Sequence, residues 1–445
     1  MTLETPQHSW SPLLSGTLAD HALGVVEEIA SDLCGHAPSG LDNAVSNTQQ
    51  DPSLAGGSAG LALFFSYLAQ VQSGQGHEDT AMEQLERAIE TGAGMRFAPG
   101  LYSGFTGVAW TLEHLRGRLF DGVDEEDPGE EAASALAGLA GLTPWRSDYD
   151  LVSGLVGFGV YALERLPRSW GKECLERVVA RLAETAEHLP AGITWKTPPE
   201  LLGDRNAELF LQGNYNLGVA HGVPGVIAFL AQACAAGLAA RDILDGTVAW
   251  LLAQKLPEGA GSIFPPRVTP GAEPKPTRLA WCYGDLGIAA SLLAAARTIG
   301  ETAWELEALK IARAAAGRPA ESSGVVDAGL CHGAAGVAHM MNRIYQATGD
   351  LVLRQAALAW LERILEMRSQ GEGFGGFTMR VPDESGKLGW RPDAGFLTGS
   401  AGVGLALLAA LSQVEPEWDR VLLLSGRADV SLLTREKPVL KSILS

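Results

Sequence analysis

The sequence predicts an all-α protein: one domain over residues 1–445, built as a closed ring of seven inner and seven outer helices with short strands in its longer loops. Three observations predict it. A Gly-x-x-Gly pair recurs seven times, each pair runs directly into an apolar segment of helical length, and amphipathic segments lie between them. The first glycines are Gly57, Gly104, Gly154, Gly222, Gly284, Gly333 and Gly399, with spacings of 47, 50, 68, 62, 49 and 66 residues. A period of about fifty residues is too long for one helix and fits two helices with two loops.

The inner elements read, in order, GGSAGLALFF from Gly56, YSGFTGVAWTL from Tyr102, VSGLVGFGVYAL from Val152, AHGVPGVIAFL from Ala220, the LAWCYGDLGIAASLL stretch from Leu279, CHGAAGVAHMM from Cys331 and LTGSAGVGLALL from Leu397. They are apolar nearly all round, as buried helices are. Glycine at their starts permits a tight turn and close backbone approach. Segments such as TAMEQLERAIE, KECLERVVARLAETAEHL, ELEALKIARAAAG and VLRQAALAWLERILEMR put charges on one face and Leu, Ala and Val on the other, as outer helices require. An open solenoid would carry polar end caps. Here the first and last motifs are as apolar as the middle ones, which favours closure.

Three segments interrupt the pattern: 190–215, 256–280 with six prolines, and 371–395. Each precedes an inner helix, so they are expected to gather on one face, carry short strands and line an entrance. The acidic stretch 121–131 reads as a solvated loop running into a helix start.

Composition narrows the function. Hydrophobic residues make up 46% of the 445, enough for a large interior, and the formal net charge is −19. That balance argues against nucleic acid and anionic lipid, both of which need clustered Lys and Arg, and it permits a basic peptide partner. The opening MTLETPQHSW lacks a basic region followed by an apolar one, so no secretory signal is read there. No stretch reaches the roughly 18 apolar residues of a spanning helix, so no membrane insertion is expected. Five cysteines, at 34, 174, 234, 282 and 331, make no disulfide framework and suit a cytoplasmic protein with reduced thiols.

Aligning the repeats on their first glycine exposes the chemistry. The residue before it is Gly56, Ser103, Ser153, His221, Tyr283, His332 or Thr398, and the one before that is Ala55, Tyr102, Val152, Ala220, Cys282, Cys331 or Leu397. Two of the five cysteines thus share one register, and two histidines share the next. In a closed ring these positions face the axis at one end. Cys282, Cys331 and His332 then form a zinc site: two thiolates and an imidazole match the ion, and three protein ligands leave a fourth position open, as in catalytic sites. His221 enters the same site by its register. Asp150 reads equally as a cap on its own helix or as a partner that orients His221. Arg278 reads as a surface arginine or a site cation, and Tyr283 as packing or as a neighbour of the ligands. Cys34, Cys174 and Cys234 read as core residues, and His339 as packing or cavity lining.

WCYG at 281–284, CHG at 331–333, AHGVPG at 220–225 and the seven Gly-x-x-Gly helices together resemble the lanthipeptide cyclases, the lanthionine synthetase C-like proteins, over about residues 50–410. The resemblance implies an α/α toroid. It implies the stand-alone bacterial type, which adds a small extension, and 190–215 is a candidate part of it. It implies thioether (lanthionine) ring closure, in which a cysteine thiol of a ribosomally made precursor peptide adds to a dehydroalanine or dehydrobutyrine. It assigns Zn²⁺ to Cys282, Cys331 and His332, and acid–base roles to His221 and Asp150 with Arg278 and Tyr283 around them. YDLVSGLVG matches the family's Asp-x-x-x-Gly-x-x-Gly and selects Asp150 over Asp148. The implied partners are a dehydrated precursor with its leader, a dehydratase and an ABC transporter. Addition to the double bond makes an enolate, for which Arg278 and protonated His221 are the candidate stabilisers, and His221 is the candidate proton donor to the α-carbon. The departures from the pattern are the Cys282–Cys331 spacing and VPG where other small residues are common. Four other readings stand beside this one: a relative that adds glutathione to dehydroamino acids, a zinc prenyltransferase subunit, an inverting glycosidase on an α/α barrel and a non-catalytic peptide-binding toroid. The prenyltransferase ordinarily has a carboxylate ligand, and the glycosidase needs paired axial carboxylates where only Asp150 stands.

Overall fold

The computed structural model describes residues 10–36, 50–120, 127–202, 208–382 and 386–427. Each of the seven glycine motifs opens a helix: α2 (Ser58–Val71), α4 (Phe105–Leu115), α6 (Leu155–Arg165), α8 (Val223–Ala235), α10 (Asp285–Ile299), α12 (Ala334–Thr348) and α14 (Ser400–Leu411). These are buried on nearly every side, as their composition requires. Seven amphipathic helices alternate with them in the chain: α1 (Gly16–Ser31), α3 (His77–Ala93), α5 (Glu130–Ala140), α7 (Gly171–Thr185), α9 (Arg241–Leu252), α11 (Thr302–Ala316) and α13 (Leu351–Glu366). Each inner helix packs on the next, and α14 packs on α2, so the inner ring closes. The result is an α/α toroid. The outer partner of α14 is α1, which brings the first and last helices of the chain together. No glycine motif marks α1, so the repeat gave no sign of this pairing.

Closure is also written in the backbone at the register two residues before each first glycine. Ala55 N–H bonds Tyr102 O at 2.9 Å, Tyr102 bonds Val152 at 3.4 Å, Cys282 bonds Cys331 at 3.2 Å, Cys331 bonds Leu397 at 2.8 Å, and Leu397 returns to Ala55 at 2.9 Å. Leu151 reaches Ala220 O at 3.2 Å. The seventh junction, Ala220 to Cys282, carries no such bond among the described residues. There Leu217 bonds Pro266 O instead, beside the short pair β3 (Tyr215–Asn216) and β4 (Arg267–Val268).

The motif's second glycine has a steric cause. A Cβ on Gly107, Gly336 or Gly402 would overlap the carbonyl oxygen of Leu101, Leu330 or Phe396, six residues earlier. The loop before each inner helix lies directly on that helix's first turn. Gly336→Ala is therefore expected to destabilise the protein by about 2–3 kcal/mol or more, read as a lowered melting temperature. An unchanged melting temperature would show that the loop yields freely.

Two expectations are revised at the edges. KECLERVVARLAETAEHL is not helical throughout. α7 ends at Thr185, and Glu187–Leu189 forms β1, antiparallel to β2 (Gly192–Thr194). Pro190 follows, and the residue before a proline is driven out of helical geometry. Of the acidic stretch, residues 121–126 lie outside the described residues. Asp127 is no solvated loop charge, because it pairs with the fully buried guanidinium of Arg165, which Glu113 also holds. A buried cation needs such partners. Strands do occur in all three interrupted segments, the third as β5 (Met379–Pro382) with β6 (Leu388–Arg391).

The axis is filled at depth. A 3-10 turn, Glu417–Leu422, enters the ring, where Tyr102 Oη donates to Val421 O at 2.8 Å and Trp281 Nε1 to Leu422 O at 2.9 Å. Buried Asp419 accepts from His339 Nε2 and Arg343 Nε, both at 2.8 Å. His339 is thus packing, not cavity lining. All five cysteines are free. Cys174 is buried and Cys234 half-buried, but Cys34 is exposed, contrary to its reading as core. No helix among the described residues is long and apolar enough to cross a membrane.

Candidate metal centre and the cavity beside it

Cys282 and Cys331 arrive side by side because the ring bond between their backbones sets them there. His332 follows Cys331 directly. One donor atom from each of the three lies within 4.8 Å of the other two. The WCYG turn makes this possible: Gly284 has φ +122°, a conformation that L side chains rarely adopt, and there the chain turns from Cys282 into α10. Trp281 anchors the turn on the axial segment. Asp285 anchors the Pro-rich loop ahead of it, accepting from the N–H groups of Ile263 and Phe264 at 2.9 Å each and from Arg318 at 2.7 Å.

The donor set fits zinc. Two soft sulfurs and an imidazole lie in a span one ion bridges at roughly 2.3 Å to sulfur and 2.0–2.1 Å to nitrogen, and three ligands leave the fourth tetrahedral position for a fourth group. The hydrogen bond from Cys331 holds the Cys282 thiol well below its ordinary range against the effect of burial, with His332 and Arg278 assisting. The same bond, together with burial, pushes Cys331 up.

His221, at the start of α8, stands with its Nδ1 2.5 Å from Asp150 Oδ2. Asp150 Oδ1 meanwhile accepts Ser153 N–H at 2.8 Å. Asp150 thus pairs with His221 through one oxygen, while the other holds a loop N–H just ahead of α6 and does not cap that helix, whose N-cap Gly154 has no side-chain cap bond. Burial alone would lower the His221 pKa, but the hydrogen bond and charge of Asp150 outweigh it and raise the pKa, with Cys282 and Asp148 adding to the effect. The imidazole is 44% exposed, and its Nε2 has no protein partner among the described residues. Burial, then the charge of Asp150, pushes the neighbouring Asp148 up to about 6.

These groups line a cavity of about 210 Å³, whose wall includes Asp150, His221, Tyr283, Thr197, Asn214 and Arg267. The 190–202 and 208–215 parts of the first interrupted segment supply one side and the Pro-rich segment supplies another; 371–395 does not contribute. Tyr283 Oη accepts from Asn216 Nδ2 at 3.0 Å, and its ring centroid lies 6.4 Å from that of His221. Arg278 is exposed and does not line this cavity, although its charge acts on both thiols. A larger hollow of about 620 Å³, between the 255–263 loop and α11, holds none of the sequence-derived site residues, so size does not select the site.

Sequence reading missed Arg267 and Asn216. Asn216 had a signal. Six residues before the first glycine stand Asp51, Asp148, Asn216, Asp327 and Asp393, and four of them accept the N–H two residues on: Ser53, Gly218 and Gly395 at 2.8 Å and Gly329 at 3.3 Å. Asp148 forms no such bond among the described residues, and it lines the cavity. Arg267 sits in a loop without period and gave no signal.

A family model described as lanthionine synthetase C-like protein matches residues 48–423. Among solved structures, nisin cyclase is similar in fold, with a TM-score of 0.69 at 19% identity, over 91% of this chain and 98% of that one.

Proposed function

On the premise that this chain belongs to the lanthionine synthetase C-like family, we propose that it is a zinc-dependent lanthipeptide cyclase. Its substrate is a dehydrated precursor peptide with its leader, in which cysteine thiols add to dehydroalanine or dehydrobutyrine to form lanthionine or methyllanthionine. The observation that carries the reading is the convergence of Cys282, Cys331 and His332 at the same end of the ring as the His221–Asp150 pair.

Cys282, Cys331 and His332 would hold Zn²⁺, which when bound would supply Lewis acidity that lowers a thiol's pKa while leaving it nucleophilic. The other residues act on the electrophile. Asp150 fixes the His221 ring through Nδ1 and keeps it charged, so that Nε2 carries a proton toward the α-carbon. Tyr283 packs beside that ring and is held by Asn216. Arg278 offsets negative charge at the thiols. Segment 190–215 is a candidate part of a small extension, and its Thr197, Leu201, Leu202 and Asn214 wall the substrate cavity. The protein works in the cytoplasm, alongside the dehydratase that makes its substrate and an ABC transporter that exports the product.

Ring closure leaves peptide mass unchanged, so the test is thiol alkylation followed by mass spectrometry of a dehydrated precursor. Incubation with the protein is expected to abolish labelling of the ring-forming cysteines. Full labelling after incubation with zinc-loaded protein overturns the proposal. A glutathione adduct in place of rings moves the activity to the glutathione-adding relatives.

A further inference from the structure

The cavity beside His221 contains a cation that the thioether chemistry, as assigned so far, does not use. Arg267 lies in β4, and its backbone partner across the pair is Asn216. Its guanidinium carbon sits 4.7 Å from the ring centroid of Phe210 and 5.9 Å from that of Tyr283. Aromatic faces hold a guanidinium in place without consuming its N–H donors. No carboxylate pairs with Arg267 among the described residues. Tyr283 therefore lies near both His221 and Arg267, and all three line the same 210 Å³ cavity. At roughly 30 Å³ per water molecule that space equals about seven waters, room for a dehydroamino acid with a flanking peptide group. Asn214, in the same wall, is 1% exposed, and neither atom of its carboxamide has a hydrogen-bond partner. A buried amide left unpaired costs free energy, and a peptide group reached by a turn of that side chain would satisfy it.

We propose that Arg267, rather than Arg278, binds the carbonyl oxygen of the dehydroamino acid and holds the negative charge that develops there. This rests on the cyclase reading above. The electron balance is closed. The thiol gives up its proton, its sulfur bonds to the β-carbon, and the C=C pair moves to leave an enolate whose charge lies on the carbonyl oxygen. His221 then protonates the α-carbon, and the proton released by the thiol restores the balance. The oxygen and the α-carbon belong to one residue, so a donor for the first and an acid for the second must both reach it. Arg267 and His221 line one cavity, and Arg278 is not among the residues of its wall.

The test uses the full-length, zinc-loaded protein with a dehydrated precursor, and reads initial rates by thiol alkylation, zinc content and melting temperature. Removing one donor to an oxyanion typically costs about 100–1,000-fold in kcat. Arg267→Met is expected to lose kcat on that scale with zinc and melting temperature retained, Arg267→Lys to recover part of it, and Arg278→Met to lose less than Arg267→Met. The inference is overturned if Arg267→Met keeps kcat within about threefold, if only KM changes, or if Arg278→Met has the larger effect. Should Arg267→Met not fold, Arg267→Lys decides: undiminished kcat overturns the inference, and a selective loss of kcat sustains it. Failure of the unaltered protein to close rings would instead sink the cyclase reading, and with it this assignment.

Discussion

Cys282→Ala is expected to lose metal and ring closure together while the toroid remains folded. The substitution removes one of three donors that lie within 4.8 Å of one another. One sulfur and one nitrogen hold a divalent ion far more weakly than three ligands do. Changes beyond the ligands themselves already cost such sites about 10–100-fold, so loss of a ligand is expected to exceed a hundredfold in activity. The fold should tolerate it. Cys282 is buried, but its backbone bond to Cys331 and the Trp281 anchor do not involve the thiol. Two measurements separate metal from activity. Zinc content should fall from one equivalent toward none, and adding zinc to the stripped protein should raise the melting temperature of the unaltered chain but not of the variant. A variant that still holds one equivalent and melts higher with zinc would remove Cys282 from the site.

His221→Ala should do the opposite: keep zinc and slow ring closure by about 100–10,000-fold, the usual range for a lost general acid. The pH dependence follows from the Asp150 pair. The His221 pKa is raised because Asp150 outweighs burial. The proton donor is the charged ring, so activity that depends on it is present below that raised pKa and falls as pH climbs through it. Asp150→Asn removes the opposing charge and leaves burial in control, so the alkaline limb of kcat should move to lower pH. If His221→Ala closes rings at the ordinary rate, or Asp150→Asn leaves the alkaline limb in place, the acid role passes elsewhere. Asp148, in the same wall, would be next.

Much of this site was legible in the sequence because the repeat imposes a register. Cys282 and Cys331 fall two residues before equivalent glycines, and the fold turns that coincidence into adjacency through a ring of backbone bonds. His221 was legible for the same reason, and Asn216 could have been, from the Asp/Asn that precedes five of the seven first glycines by six residues. Arg278 was legible as a neighbour of the ligands, but not as a group whose exposed side chain stays outside the His221 cavity.

By itself the sequence determined the seven inner helices, their closure and the cysteine–histidine register. The forces that impose them act within each motif: a carbonyl six residues back presses on a glycine, and an apolar run must be buried. Only the tertiary structure decided that α1 completes the outer ring, that Glu417–Leu422 fills the axis, and that Arg267 and His221 line one cavity. Those contacts join segments far apart in the chain, two of them outside the glycine repeats and one in a proline-rich loop. No local spacing encodes such contacts; they exist only once the ring has closed around them.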